Sequence, residues 1–292
     1  MTIADRHTRP LARAPSGGLV VGAIASVQLG GALAVRLFSS VGPGGAVVLR
    51  LAWASIVLLA ISRPRIAGLR RSQLGLAVLF GLVLAGMNLS FYESLHRIPL
   101  GIAVSLEFVG PLAVAVGGSR RRADLLWVAL ALAGIVALTR SGTGGVHGVG
   151  VAFALLAGGL WGAYILVSAR IGRAFEDGSG LAVAMSLGAL AALPAGVISG
   201  GTRLLEPRSL GLGCVIGMLS SAIPYSFELE ALRRIPPSVF GVLMSLEPAV
   251  AALAGLVVLG QGLGWRSLLG MALVMVASGG ASRRAVAAPT DV

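Results

Sequence analysis

The sequence contains no lysine, a single cysteine and few charged residues, and each shortage excludes a class of function. Charged residues make up 12% of the chain, against about 25% in soluble domains. Without lysine there is no Walker-A nucleotide site and no Schiff-base chemistry. The lone Cys214 cannot form an intrachain disulfide, and the three histidines show no metal-ligand spacing. We therefore predict neither a metal site nor a cofactor.

Apolar residues are what the chain has in excess, with 56% of the total and a mean hydropathy of +0.92. A transmembrane helix needs about 20 mostly apolar residues. Such stretches lie near 17–37, 44–62, 73–92, 101–118, 123–139, 149–168, 180–198, 210–230, 238–260 and 265–281. The pattern predicts an all-α integral membrane protein with ten transmembrane helices in the lipid bilayer, flanked by polar tails at 1–16 and 282–292.

The arginines indicate how these spans are oriented. With both termini inside the cell, sixteen of the 23 arginines fall in inner segments, six in outer segments, and Arg50 within a span. The positive-inside rule then places both tails in the cytoplasm. Because the arginines are spread over many short loops, they form no nucleic-acid-binding stripe. A cleavable signal peptide, with residues 6–13 as its basic region, is the weaker interpretation of the N-terminus.

The chain also repeats itself. Residues 72–111 match residues 209–248 without a gap at a shift of 137, so that Glu93 falls on Glu230 and Pro111 on Pro248. This predicts two related halves, 17–140 and 148–281, of five spans each. An odd number of spans inverts the second half, which favours a secondary transporter that alternates access to a central site. Since no nucleotide motif exists, a gradient would drive transport.

Three ionisable residues are predicted to lie inside spans, where charge is costly and usually functional. At 1.5 Å per residue, Arg50 and Glu107 each lie roughly 9 Å from the outer surface and Glu247 about 14 Å from the inner one. Arg50 and Glu107 either form a structural ion pair or contact the two ends of a zwitterionic substrate. An arginine beside Glu107 would favour its charged form, so Glu247, with no partner evident in the sequence, is the better candidate for a coupled proton.

Other residues within the spans are candidates for the transport pathway or for helix distortion. Pro111 and Pro248 are predicted to kink their helices and to free the carbonyls of Glu107 and Met244. The polar and amphipathic candidates for the pathway are Gln28, Asn88, Trp161, Tyr164 and Tyr225. The pairs Glu93–Arg97 and Glu230–Arg234, each four residues apart, are predicted to be structural anchors at span ends.

Several stretches resemble one known family. They are 87–92 (MNLSFY), 97–104 (RIPLGIAV), 106–112 (LEFVGPL), 223–226 (IPYS), 233–236 (RRIP) and 244–253 (MSLEPAVAAL). Together they are similar to the drug/metabolite transporter superfamily, and within it to the bacterial threonine/homoserine exporters. The resemblance implies two EamA-type five-helix repeats, an inner-membrane location and efflux of small amino acids. The family often has Gly-Glu at the end of span 9, where this chain has Gly260 and Gln261.

Three functional hypotheses remain at this point. The first is a secondary exporter of small amino acids, with protons as a coupling partner; the second is an exporter of another metabolite or a drug. The third, a membrane-embedded enzyme, lacks support because no GxSxG motif or metal-ligand spacing is present and the one adjacent acid pair is Glu176-Asp177. Neither the substrate nor the oligomeric state follows from the sequence.

Overall fold

The computed structural model describes residues 15–64, 69–117, 125–139, 147–175, 179–232, 234–235 and 237–285, and these contain helices and no strand. The parts of the predicted tails up to residue 14 and from residue 286 lie outside the described residues, as do Arg120, Arg140, Glu176 and the other positions that these ranges omit. The α-helices are α1 (Ser16–Ser62), α2 (Arg71–Leu95), α3 (Leu100–Glu107), α4 (Val109–Gly117), α5 (Leu125–Thr139), α6 (Gly148–Ala174), α7 (Gly180–Gly200), α8 (Pro207–Gly217), α9 (Ile223–Leu232), α10 (Pro237–Met244), α11 (Glu247–Leu259) and α12 (Trp265–Ala285).

The all-α prediction is confirmed, and the helices have the length and composition of membrane spans. Five segments of the described chain are long and apolar enough to cross a bilayer, and shorter apolar helices accompany them. Large apolar side chains cover the outside, such as Ile198 (87% exposed) and Leu190. A surface of this kind is stable against lipid rather than water.

The first two predicted spans are two helical segments of α1 that meet at Gly42 with no loop between them. Within α1 the backbone leaves the helical region only at Gly42, where φ is +69°. Glycine adopts this conformation without steric cost, and Pro43 follows it. The bend packs against α7, where the Ser199 hydroxyl accepts a hydrogen bond of 2.8 Å from the Gly45 N–H. Gly42 alone therefore forms the connection that was predicted over residues 38–43.

Three other predicted spans are broken or distorted along their length. Span 4 divides at Phe108 into α3 and α4, and span 9 divides at residues 245–246 into α10 and α11. Span 8 contains a π-helical turn, Met218–Ala222, between α8 and α9. Each irregularity lies just before a proline: Pro111, Pro248 or Pro224. Proline lacks the N–H that the regular helix would use, which is the physical reason for the break.

The long bent α1 is the central element, and it packs against α7, α8, α9 and α11. The broken span 4 crosses α6 at very close range. A Cβ atom on Gly110 would lie 1.7 Å from the Gly158 carbonyl oxygen, so only glycine fits there. Beside this crossing, Phe108 makes an edge-to-face contact with Trp161 at 5.0 Å between ring centroids. These contacts place the break at Phe108 in the interior, against α6.

Candidate functional site

An internal cavity of about 180 Å³ lies between the broken helices and α1. Every predicted pathway residue whose side chain the structure describes lines it: Gln28, Arg50, Asn88, Glu107, Trp161, Tyr164 and Glu247. The side chain of Tyr225 lies outside the described residues. The remaining lining residues are Val27, Gly31, Met87, Phe91, Val104, Ser220, Pro224, Glu228 and Met244. Pro111 and Pro248 lie near the helix breaks and do not line the cavity.

Arg50 is held in the cavity wall by groups from two other helices. One of its terminal nitrogens donates to the Tyr92 hydroxyl and the other to the Ser220 carbonyl, each at 3.4 Å. The guanidinium carbon also lies 5.7 Å from the centroid of the fully buried Tyr92 ring, a cation–π arrangement. These contacts orient a cation that would otherwise be costly to bury.

The π-helical turn explains why the Ser220 carbonyl is available to Arg50. In a regular helix this carbonyl would accept from the N–H of residue 224, which is a proline and has none. The neighbouring carbonyl of Leu219 accepts instead from the Ser26 hydroxyl of α1 at 2.7 Å. The turn thus exposes two backbone carbonyls toward α1, as π-bulges often do at functional sites.

Glu247 is the first residue of α11 and is 8% exposed. The Gln28 amide donates a hydrogen bond of 2.9 Å to its Oε1. The sequence pattern showed no partner for Glu247, because the two residues are 219 positions apart. Its Oε2 has no hydrogen-bond partner among the described atoms. A buried carboxylate oxygen of this kind is available to a ligand or a proton.

Glu107 is the last residue of α3 and is also buried, with 9% exposure. Its backbone carbonyl lies against α6, where a Cβ atom on Gly158 would approach it to 2.6 Å. Its carboxyl group interacts electrostatically with both Arg50 and Glu247. The two residues that the sequence suggested as a pair, Arg50 and Glu107, therefore share one cavity and attract each other.

Asn88 and Tyr164 also contribute polar groups to the cavity wall. The Asn88 amide donates to the Leu84 carbonyl of its own helix at 2.8 Å, which leaves its side-chain oxygen as an acceptor. The Tyr164 ring stacks on Phe80 with centroids 5.1 Å apart. Both side chains are thus positioned by the protein itself before any ligand enters.

Sequence reasoning missed three residues of the site: Glu228, Tyr92 and Ser220. Glu228 was overlooked because the nearby Glu230 forms an evident pair with Arg234, four residues later in the same segment. The repeat offers a usable signal, because Glu228 matches Phe91 at the shift of 137 and both line the cavity. Tyr92 and Ser220 carry no such signal, since they act through contacts with a residue far away in sequence.

The predicted anchors at the span ends are present. Arg97 forms an ion pair with Glu93, and Arg234 pairs with Glu230, donating from Nε to Oε1 at 2.9 Å. Gln261, at the position where the family often has glutamate, accepts a hydrogen bond of 3.0 Å from the backbone N–H of Leu100. It therefore caps the first turn of α3, a role that a glutamate could also perform.

Taken together, the residues that line the cavity offer a guanidinium, three carboxyl groups, two amides and hydroxyls. Among the residues that the structure describes, no group of three or more His, Cys, Asp or Glu could hold a metal ion. Groups of both charge signs suit a small molecule that itself carries both signs. Hydrogen bonding to charged groups in such an interior discriminates strongly between ligands.

Comparison with known proteins agrees with this chemistry. The EamA-like transporter family matches residues 148–282. The threonine/homoserine exporter RhtA of Salmonella typhimurium (strain SL1344) is 41% identical over 263 residues, covering 89% of this chain and 88% of the relative. RhtA of Escherichia coli (strain K12) gives the same identity and coverage. The uncharacterized transporter YwfM of Bacillus subtilis is 30% identical over 160 residues, 54% of each chain.

A solved crystal structure shares the fold, with a TM-score of 0.58 at 19% sequence identity. The match covers 91% of this chain and 98% of the other. The relatives are transporters and not enzymes, and they act on small molecules from within a lipid bilayer. The apolar helices, the polar cavity among them and the long match to these exporters lead to one conclusion: the chain is a multi-pass membrane protein of the EamA-like transporter family.

Proposed function

We propose that this protein exports threonine, homoserine or a closely similar amino acid across the bacterial inner membrane. The observation that carries the proposal is the cavity, in which Arg50 lies in the same enclosed space as Glu107 and Glu247. The guanidinium would hold the substrate carboxylate, and a glutamate would hold its ammonium group. The exporters that share 41% identity with this chain bear the names of these two amino acids.

The size of the cavity suits such a substrate. Its volume is about 180 Å³, and an engineered cavity of about 150 Å³ binds benzene. Threonine and homoserine are slightly larger than benzene and are isomers of each other. Asn88 and Tyr164, on the cavity wall, supply hydrogen-bonding groups for the substrate hydroxyl.

We further propose ten spans, arranged as two inverted repeats that exchange conformations around the cavity. Helices α3 and α10 support this, because their bounds, Leu100–Glu107 and Pro237–Met244, differ by the repeat shift of 137 at both ends. The cavity is lined at matched positions as well, such as Phe91 and Glu228. The family match over residues 148–282 covers nearly the range proposed for the second half.

Glu247 is the proposed site of the coupled proton in an exchange of protons for substrate. It lies at the start of α11, at the break of the proposed span 9, and its Oε2 has no described partner. Gln28 is neutral and can hydrogen-bond to either protonation state of the carboxyl group. A proton and a substrate ammonium group would then compete for the same oxygens, which couples their movements.

A growth-inhibition screen tests the proposed function. The protein is expressed in a strain that lacks its own amino-acid exporters, and each culture receives a toxic concentration of one amino acid or analogue. We expect relief of inhibition by threonine and homoserine, with faster efflux of labelled threonine from loaded cells. Relief by a drug or dye and by no amino acid would instead support the second candidate function.

The proposed orientation, with both termini in the cytoplasm, can be tested with the single cysteine. Replacing Cys214 with alanine gives a cysteine-free background in one step. New cysteines at Leu205 and Ile61, both exposed, then report on opposite faces. A membrane-impermeant maleimide added to whole cells should label the Leu205 site and leave the Ile61 site unlabelled. The reverse pattern would contradict the orientation.

A further inference from the structure

The cavity contains more carboxyl groups than a zwitterionic substrate requires. Three carboxyl groups, from Glu107, Glu228 and Glu247, face one guanidinium, that of Arg50, among the described lining residues. Glu228 is the unexpected member, since it comes from α9 and matches the apolar Phe91 in the sequence repeat. Glu247 interacts electrostatically with both other glutamates. The three acids therefore act as one group.

Arg50 already has partners within the protein. It donates to the Tyr92 hydroxyl and the Ser220 carbonyl, and Glu107 attracts it from the same cavity. With Glu107 offsetting the guanidinium, Glu228 and Glu247 remain as acids that no described cation in the cavity lining balances. Gln28, which contacts Glu247, is neutral. An incoming ammonium group thus meets two acids, whereas an incoming carboxylate meets an arginine that already has partners.

From this imbalance we propose that the cavity also binds small primary amines that have no carboxylate, with Glu228 as the residue that makes this possible. The proposal rests on the proposed function, because it places the amine in the same cavity as threonine. Complementary charge in a binding site selects ligands first by the sign of their charge, and ligand shape adds a second level of discrimination. The ammonium group is then the required part of the substrate, and the carboxylate an accessory one.

A binding experiment with three matched probes tests the proposal on the purified full-length protein. L-Threonine carries both charges, L-threonine amide keeps only the ammonium group, and N-acetyl-L-threonine keeps only the carboxylate. At about pH 7 the amine of the amide is still mostly protonated. We expect the amide to bind within about tenfold of threonine and the N-acetyl compound to show no binding. If threonine binds and the amide does not, the inference is wrong and the proposed function stands; if none binds, the proposed function itself fails.

A pair of variants assigns the effect to Glu228. Glu228→Gln removes one cavity carboxylate, whereas Glu230→Gln removes a carboxylate two residues away that pairs with Arg234 outside the cavity. We expect Glu228→Gln to weaken the amide about tenfold and threonine by less, while Glu230→Gln leaves the ratio of the two affinities unchanged. Equal weakening of both ligands by Glu228→Gln, with thermal stability retained, would overturn the role of Glu228.

Discussion

The two halves of the chain contribute equivalent positions to the cavity but different chemistry. Three pairs of positions related by the repeat shift of 137 line it together: Met87 and Pro224, Phe91 and Glu228, and Glu107 and Met244. In each pair that includes an acid, the matched residue is apolar. The two halves thus share their backbone arrangement, whereas the charged side chains that line the cavity do not follow the repeat.

This difference distinguishes the repeated backbone, which is proposed to change conformation, from the unmatched charged groups, which are proposed to bind the substrate. Matched helix breaks, at Phe108 and at residues 245–246, give both halves a similar way to bend. The substrate has no such symmetry, because an amino acid carries opposite charges at its two ends. A site for it must therefore be asymmetric, even when the scaffold around it is repeated. We expect substitutions of unmatched charged groups to change transport and substitutions at close backbone contacts to change stability.

The largest effect is expected from Arg50, which supplies the one guanidinium among the described lining residues. Arg50→Gln removes the guanidinium that the proposal assigns to the substrate carboxylate and also leaves Glu107 without the cation that attracts it, and threonine efflux should fall about 100-fold. Arg266→Gln is the control, since Arg266 lies on the outside of the protein, stacked on Trp265. Efflux rates from cells with matched protein levels give the measurement; a loss shared by both variants would point to general charge loss.

Exchanging the charges of Arg50 and Glu107 tests whether Arg50 contacts the substrate or only forms a structural ion pair. The double variant Arg50→Glu with Glu107→Arg preserves the opposite charges and reverses their positions. If Arg50 contacts the substrate, the swap should restore the thermal stability lost in the single variants without restoring threonine efflux. Recovery of efflux would show that the two residues serve only to hold their helices together.

The next largest effect concerns Glu247 and the proton. Glu247→Gln cannot release a proton, so efflux should lose its response to an imposed pH gradient while exchange of threonine for threonine persists. Glu206→Gln, which removes an exposed carboxyl group outside the cavity, should respond to the gradient like the parent protein. The assay is efflux from proteoliposomes at several external pH values. A variant with unchanged pH dependence would assign the coupling to another group.

Two adjacent glycines in α6 test whether the close backbone contacts between helices determine the stability of the protein. Gly158→Ala would force a Cβ atom to within 2.6 Å of the Glu107 carbonyl, whereas a Cβ atom on Gly159 meets nothing within 4 Å. Overpacking typically costs about 1–3 kcal/mol, and alanine in an open helix position gains up to about 1 kcal/mol over glycine. Gly158→Ala should thus lower the melting temperature while Gly159→Ala leaves it equal or higher. Equal temperatures would contradict the close crossing at Phe108.

The smallest effect is expected at Gln261, which caps α3. Gln261→Ala should destabilise the protein by about 1 kcal/mol. Gln261→Glu should keep the cap, and its charge near the helix N-terminus should add about 0.3–1 kcal/mol of stability. Thermal unfolding in detergent compares the three proteins. If the alanine and glutamate variants unfold at the same temperature, the hydrogen bond to Leu100 contributes little.

The parts of this protein that depend on local chemistry could be predicted from its sequence. Apolar stretches predicted an all-helical membrane protein, and the cost of burying charge singled out Arg50, Glu107 and Glu247, which lie in one cavity. Spacing of four residues predicted the Glu93–Arg97 pair. In each case the pattern and its physical cause lie within one helix or one residue type.

The remainder depends on contacts between distant segments, for which the sequence gives no spacing rule. Gln28 reaches Glu247 across 219 positions, and Arg50 meets the Ser220 carbonyl only because Pro224 leaves it without its usual partner. The two helical segments predicted on either side of residues 38–43 are present, but the sequence did not show that Gly42 alone, with its positive φ, would separate them. Glu228 was missed because its helix also carries the more conspicuous Glu230.

Counterflow of labelled threonine in proteoliposomes tests the central claim most directly. Vesicles that contain the purified protein are loaded with unlabelled threonine and diluted into a trace of labelled threonine. Alternating access around the charged cavity predicts transient accumulation of label inside the vesicles, present with the parent protein and absent with Arg50→Gln. No accumulation with threonine or homoserine, from a protein that is folded and correctly inserted, would contradict the account.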